Sequence, residues 1–211
     1  MFHDMKIYLL IVPAAIGVIF AGLLDLNTSE TSTNAFILNK ENLLQGATIL
    51  GDPNAGTTIV EFGDYQCTFC YKFHKETMNK IYEKYVIKGN VNFVFKDFPL
   101  NGEPSIRASE ASYCAQEQGK FWQYHNTLYD NWGGENTGWI TEESLTMFAK
   151  NSGLELEEFD SCMKNSKFRQ KVLDNEQFAK ENSINATPSF LIFSGNEVYR
   201  IIGSQPFEKF E

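Results

Sequence analysis

Apolar residues along this chain fall into three patterns: one long uncharged run near the start, short β-branched and aromatic runs bounded by turn residues, and a long middle stretch with helical spacing. The first is residues 7–24. As a helix it would span about 27 Å against a hydrocarbon core of about 30 Å, so it predicts a membrane segment or a signal peptide. It ends in Leu23-Leu24-Asp25-Leu26 where a cleavage site would want small residues, which favours an uncleaved single-span anchor over residues 7–26. Pro13 and Gly17 are tolerated in such spans. Lys6 precedes the run and Asp25 and Glu30 follow it, which puts the short flank 1–6 inside and the remainder of the chain outside the cytoplasm. Polar residues 27–34 open a linker taken to residue 44, and one folded domain is expected over residues 45–211.

Within that domain, residues 47–50 suggest a short first strand, followed by turn residues 51–56 and a strong strand at 57–62, the two pairing as a hairpin or as neighbours. Residues 71–88 read as a helix. Gly89-Asn90 stops it, and residues 91–98 alternate apolar and polar like a half-buried strand. Strand, helix, strand is a βαβ unit, so the two strands should be parallel. From 104 to 184 no strand-like run occurs; helices are predicted at 105–118, 121–132, 141–150, 156–165 and 167–182, with Thr141 as an N-cap followed by acids. Strand character returns at 189–193, turns at Ser194-Gly195-Asn196, and runs back through 197–202 as a hairpin. The fold class is therefore α/β: a mixed sheet completed from both ends of the chain, with an all-helical insertion over 104–184.

Composition narrows the function classes. The 211 residues carry a formal net charge of −9 with the acids spread along the chain, so the basic stripe that nucleic acid requires is missing. Eighteen Phe, nine Tyr and three Trp are enough to stock a core, while Tyr65 and Phe69 are placed to form an apolar docking surface. Four cysteines, an even count, suit an oxidising compartment.

Two of those cysteines carry the chemistry. Cys67-Thr68-Phe69-Cys70 lies where a strand feeds a helix N-terminus. Unpaired backbone N–H groups and the positive end of the helix dipole favour a thiolate there, so Cys67 should be the acidic, exposed member, one helical turn from a partner able to close a disulfide with it. Such a pair can run thiol–disulfide exchange. Two other readings compete: a structural disulfide, and a metal site completed by His74, for which no second C-x-x-C or His pair offers a fourth ligand. Cys114 and Cys162, on separate predicted helices 48 positions apart, are either inert buried thiols or a structural bridge contributing about 4 kcal/mol. His125, on an aromatic helical face, is read as a packing residue without a catalytic role. Asn27-Thr28-Ser29 and Asn185-Ala186-Thr187 match a glycosylation acceptor pattern short enough to arise by chance.

Glu61 to Cys70 read EFGDYQCTFC, a helical region follows, and Ala186-Thr187-Pro188-Ser189-Phe190 comes later. With residues 94–100 and 118–125, these segments resemble the DsbA-like branch of the thioredoxin superfamily over about residues 45–210. The resemblance implies a thioredoxin-like fold, Cys67 as nucleophile, Cys70 as resolving partner, and a cis Pro188 in a loop beside them that leaves Thr187 free to pair its backbone with substrate. It matches Glu61 to a buried acid able to relay protons to Cys70; a solvated strand-end glutamate is the alternative. The implied activity is insertion of disulfides into reduced or misoxidised extracytoplasmic proteins, with reoxidation by a membrane electron acceptor and with no cofactor or metal. A reductase or isomerase on the same fold, a redox-inactive peptide-binding module and a zinc module are the alternatives. Two departures stand out. Thr68-Phe69 lacks the histidine that strongly oxidising members place between the cysteines, and after Pro206 only about one turn of the family's closing helix remains.

Overall fold

The computed structural model describes residues 40–211; the apolar run 7–24 and the stretch from there to residue 39 lie outside the described residues. Among the described residues no helix is long and apolar enough to cross a membrane.

The β-branched and aromatic runs form β1 (Thr57–Gly63), β2 (Val91–Asp97), β3 (Ser189–Ser194) and β4 (Glu197–Ile202), in the sheet order β2-β1-β3-β4. β1 and β2 are parallel, with Ile59 opposite Phe93 and Glu61 opposite Phe95, as a helical crossover between them requires. β1 and β3 are antiparallel, with Glu61 opposite Phe190. Gly195, at φ 57°, opens the two-residue turn between β3 and β4. α1 (Lys40–Leu44) precedes the sheet. The crossover helix α2 (68–86) passes through Thr68–Phe73, His74–Met78, Asn79–Ile81 and Tyr82–Val86, alternating α and π turns with helical backbone at each junction. Between β2 and β3 the chain builds α3 (Glu103–Glu117), α4 (Phe121–Asp130), α5 (Glu142–Asn151), α6 (Leu156–Lys164) and α7 (Arg169–Glu181), close to the predicted helices. Thr141 caps α5 by exchanging hydrogen bonds with Ser144 at 3.1 and 2.9 Å.

Both sheet faces are covered. Val60, Phe62, Val94 and Leu191 pack on Leu43 of α1 and on Ala179 and Ile184, while Ile59, Phe93 and Phe190 pack on Phe73 and Ile81 of α2. A third apolar cluster lies within the helical insertion and extends to Tyr65, Cys67 and Cys70.

Several expectations are corrected. Residues 91–97 alternate in sequence, yet all seven are buried, because helices cover both faces; Asn92 Nδ2 donates to the Asp52 carbonyl and Asn175 Nδ2 to Asp97 Oδ2. Leu50 makes no hairpin with β1, whose two edges are taken by β2 and β3; it forms a single antiparallel bridge to Phe93 on the open edge of β2. α2 begins at Thr68, three residues earlier than its apolar period suggested. α1 lies in the expected linker but buries Leu43 in the core. After β4, Phe207–Lys209 makes one 3₁₀ turn, and Phe210 seats its ring against Phe73 and Phe190.

Candidate active site

Gly63 ends β1 where a side chain could not fit: a Cβ there would stand 2.4 Å from the Phe95 ring. The chain then turns into α2 through Asp64, whose carboxylate is an acceptor hub. Its Oδ1 accepts from the Gln66 amide at 2.8 Å and the Ser105 hydroxyl at 2.6 Å, and its Oδ2 from the Asn101 amide at 2.8 Å and Nδ2 at 3.1 Å. The Asp64 carbonyl accepts from the Cys67 amide at 3.1 Å. One carboxylate thereby ties the strand end, the turn after β2 and the start of α3 together beneath the cysteine-bearing turn.

Cys67 is the N-cap of α2, with extended backbone, and Cys70 lies within its first turn. The expectation of an exposed Cys67 is corrected: it is only 6 % exposed, because the Thr187-Pro188 loop lies against its sulfur, and Cys70 is fully buried. The two thiols differ in proton affinity. Cys67 is lowered to about 6, chiefly by a hydrogen bond from the Cys70 thiol, with further help from the Thr187 side chain and the Cys70 and Phe69 amides, against an opposing effect of burial. Cys70 is pushed well above the usual thiol range by burial, then by its hydrogen bond to Cys67 and by the Cys67 and Glu61 charges; the Asp64 amide, 3.5 Å from its sulfur, opposes this. The Phe69 and Cys70 amides are unpaired donors of the helix start, acting one by one on the Cys67 sulfur.

Thr187-Pro188 is a cis peptide, and the Thr187 carbonyl accepts from the Cys67 thiol at 3.4 Å. Glu61 is buried on the sheet face toward α2, between Phe95 and Phe190 in register; burial first, and then the Cys67 charge, hold its carboxyl well above the usual carboxylate range. Cys67, Cys70, Glu61, Thr187 and Pro188, spread over 128 positions, thus meet at one place. Cys114 and Cys162 form a disulfide that ties α3 to α6.

One further sequence reading changes. Tyr65 is not part of an exposed apolar surface: it is fully buried, with its hydroxyl 3.1 Å from His125 Nδ1, whereas Phe69 is 58 % exposed. His74 packs against Tyr129 and His125, and burial pushes it down to about 4.

Three contributors escaped the sequence reading. Asp64 and its donors Asn101 and Ser105 were missed, although an aspartate two residues before an amide it can accept from, between a strand and a helix, is a recognisable Asx-turn signal. The other two come from the loop between α4 and α5. Trp132 stacks on Tyr71 at 4.4 Å and its Nε1 donates to the Gln66 carbonyl at 3.1 Å, and Glu135 accepts from Thr68.

Comparisons with known proteins agree with this geometry. The thioredoxin family model matches residues 44–210. A Bacillus anthracis protein named "Probable disulfide bond formation protein D" is 30 % identical over 152 residues, 70 % of this chain and 69 % of its own length. Among solved structures, oxidised BdbD from Bacillus subtilis superposes with a TM-score of 0.70 at 27 % identity, covering 79 % of this chain and 89 % of that one. Wolbachia pipientis alpha-DsbA1 does so with a TM-score of 0.69 at 25 % identity, covering 79 % and 88 %. An acidic, barely exposed cysteine paired with a buried one beside a cis-proline loop, on a sheet and helical insertion shared with these proteins, places the chain in the thioredoxin family as a DsbA-like thiol–disulfide oxidoreductase.

Proposed function

We propose that the Cys67–Cys70 disulfide is donated to reduced proteins outside the cytoplasm. The observation that carries this reading is the opposed proton affinity of the two thiols: Cys67 is held near 6 while Cys70 is raised. A substrate thiolate attacks Cys67 of the enzyme disulfide, and the Cys70 sulfur leaves with the electron pair. That leaving group is a poor anion in its buried site. Glu61, whose carboxyl burial holds well above the usual carboxylate range, is suited to supply a proton to it. The substrate's second thiolate then attacks the substrate sulfur of the mixed disulfide, and Cys67 departs as a stable thiolate. Substrate is oxidised by two electrons and the enzyme becomes the dithiol. Stabilising the Cys67 thiolate stabilises the reduced enzyme, which favours donation over reduction. The Thr187 backbone, next to Cys67, is suited to pair with an extended substrate segment.

The apolar run 7–24 would tether the domain to the membrane, where an electron acceptor could take two electrons from the dithiol and restore the disulfide. Membrane fractionation of the full chain, with protease accessibility of the domain, tests the tether. Equilibration with glutathione buffers, followed by alkylation of Cys67, tests the direction. A reduction potential well above that of thioredoxin, about −270 mV, is expected; a value near thioredoxin's would make the protein a reductase. Full activity of Cys67→Ala in cells would remove the redox reading altogether.

A further inference from the structure

The first turn of α2 divides its backbone donors between two acceptors. The amides of Phe69 and Cys70 serve the Cys67 sulfur. The Thr68 amide does not: together with the Thr68 hydroxyl it donates to Glu135 Oε2, each at 3.2 Å. Glu135 comes from the loop between α4 and α5, which is fastened on both sides of it. Trp132 is stacked on Tyr71 and bonded to the Gln66 carbonyl, Thr137 Oγ1 donates to the Gly133 carbonyl at 2.9 Å, and Asn136 Nδ2 donates to Asn101 Oδ1 at 3.4 Å. Gly133 has no room for a side chain, since a Cβ there would meet Trp139 at 2.6 Å. The helical insertion thus holds a carboxylate against the residue next to the reactive cysteine.

We propose that Glu135 is a positioning residue that restrains the oxidising power of the Cys67–Cys70 pair by setting a second negative charge at the helix end that the Cys67 thiolate also uses. Like charges sharing one helix terminus disfavour each other, and the Cys67 thiolate exists only in the reduced enzyme. The carboxylate therefore penalises the dithiol form selectively. The other titratable groups bearing on Cys67, namely Cys70 on the same helix and Glu61 on β1, lie on its buried side; Glu135 is exposed, so its effect is open to screening by salt. The thiol–disulfide exchange machinery thereby contains an adjustable element in Thr68-Phe69 and the loop facing it, without a histidine between the cysteines.

The inference rests on Cys67 as the reactive thiol, and one set of measurements separates the two claims. Enzyme disulfide plus two glutathione thiols in equilibrium with enzyme dithiol plus glutathione disulfide would be measured for the wild type, Glu135→Gln and Glu135→Asp, alongside the pH dependence of Cys67 alkylation. Gln retains an acceptor oxygen for Thr68 and loses the charge. It is expected to shift the equilibrium about threefold toward the dithiol, about 14 mV by the two-electron constant, and to lower the pH midpoint of alkylation. Asp, which keeps the charge, is expected to stay near the wild type, and the difference between wild type and Gln is expected to vanish in about 1 M salt. A Gln variant that matches the wild type at low salt, that shifts toward the disulfide, or that is matched by the Asp variant overturns the proposal while the redox reading stands. A wild type with no glutathione-dependent equilibrium overturns both.

Discussion

The Cys67 thiol donates to the Thr187 carbonyl oxygen at 3.4 Å, joining positions 120 apart in the chain, and the Thr187 side chain helps to hold the Cys67 proton affinity down. The loop at Pro188 therefore acts on the sulfur through two groups of one residue. Thr187→Val keeps the carbonyl and removes the hydroxyl. A hydrogen bond to a charged group contributes about 1.5 kcal/mol or more, so the midpoint of Cys67 alkylation should rise by about one pH unit and the glutathione equilibrium should move toward the disulfide.

Stability should depend on redox state and pH together. Cys67 ionises near 6 in the folded dithiol enzyme and near about 8.5 in an unfolded chain. A depressed folded value adds stability that is fully present above the unfolded value and is lost as pH falls through about 6. Raised Cys70 has the opposite sign, but its cost begins only as the pH climbs past the unfolded thiol range. From pH 6 to 8 the reduced enzyme should therefore gain stability relative to the oxidised enzyme, which titrates at neither sulfur. Urea unfolding of both forms at stepped pH measures this, and a difference that stays flat across the window would contradict it.

Glu61 should matter to turnover more than to the resting thiol. Burial holds its carboxyl well above the usual carboxylate range, so Glu61→Gln mimics the protonated form in shape and removes the transferable proton. Reduction of the enzyme disulfide by a substrate dithiol should slow by about tenfold or more in stopped-flow measurements at neutral pH, with Cys67 alkylation little changed.

Asp64→Asn replaces one acceptor oxygen by an NH₂ group facing donors. Asn101 offers two N–H groups to Oδ2, and Gln66 and Ser105 donate to Oδ1, so at least one buried donor loses its partner. The expected loss is about 2 kcal/mol in denaturant unfolding, with slower exchange because the turn carrying Cys67 is no longer tied to Asn101.

The Cys114–Cys162 bridge closes 48 positions between α3 and α6. Replacing both residues by Ala should lower the unfolding free energy by about 4 kcal/mol, most of it through the unfolded chain. Activity per folded molecule should persist, since the bridge joins α3 to α6 and lies outside the turn that carries the Cys67–Cys70 pair.

Local chemistry explains what was legible. The helices of the insertion follow from 3.6-residue spacing and from punctuation such as Thr141 at the start of α5, and the hairpin of β3 and β4 from β-branched runs around Gly195. The place of Cys67 at a helix start follows from a strand motif running into a helical one, which is enough to predict an acidic thiol. Two misjudgements have separate causes: Leu50 could not pair with β1 because β3, from the far end of the chain, takes that edge, and β2 is buried on both faces because alternation reports polarity while burial depends on how many layers cover a strand.

From its sequence alone this protein is determined to be a mixed α/β chain with an inserted helical region and a reactive cysteine pair at a helix N-terminus, because periodicity, turn residues and helix-end polarity act over a few neighbouring positions. Only the tertiary structure decided what surrounds that pair: the Thr187 carbonyl, the buried Glu61, the four donors on Asp64, and Glu135 on the Thr68 amide. Apart from Gln66 on Asp64, the hydrogen bonds among those contacts join residues 37 to 120 positions apart, and the charge, desolvation and hydrogen bonding imposed on two sulfur atoms exist only once the chain has brought these groups within a few ångströms.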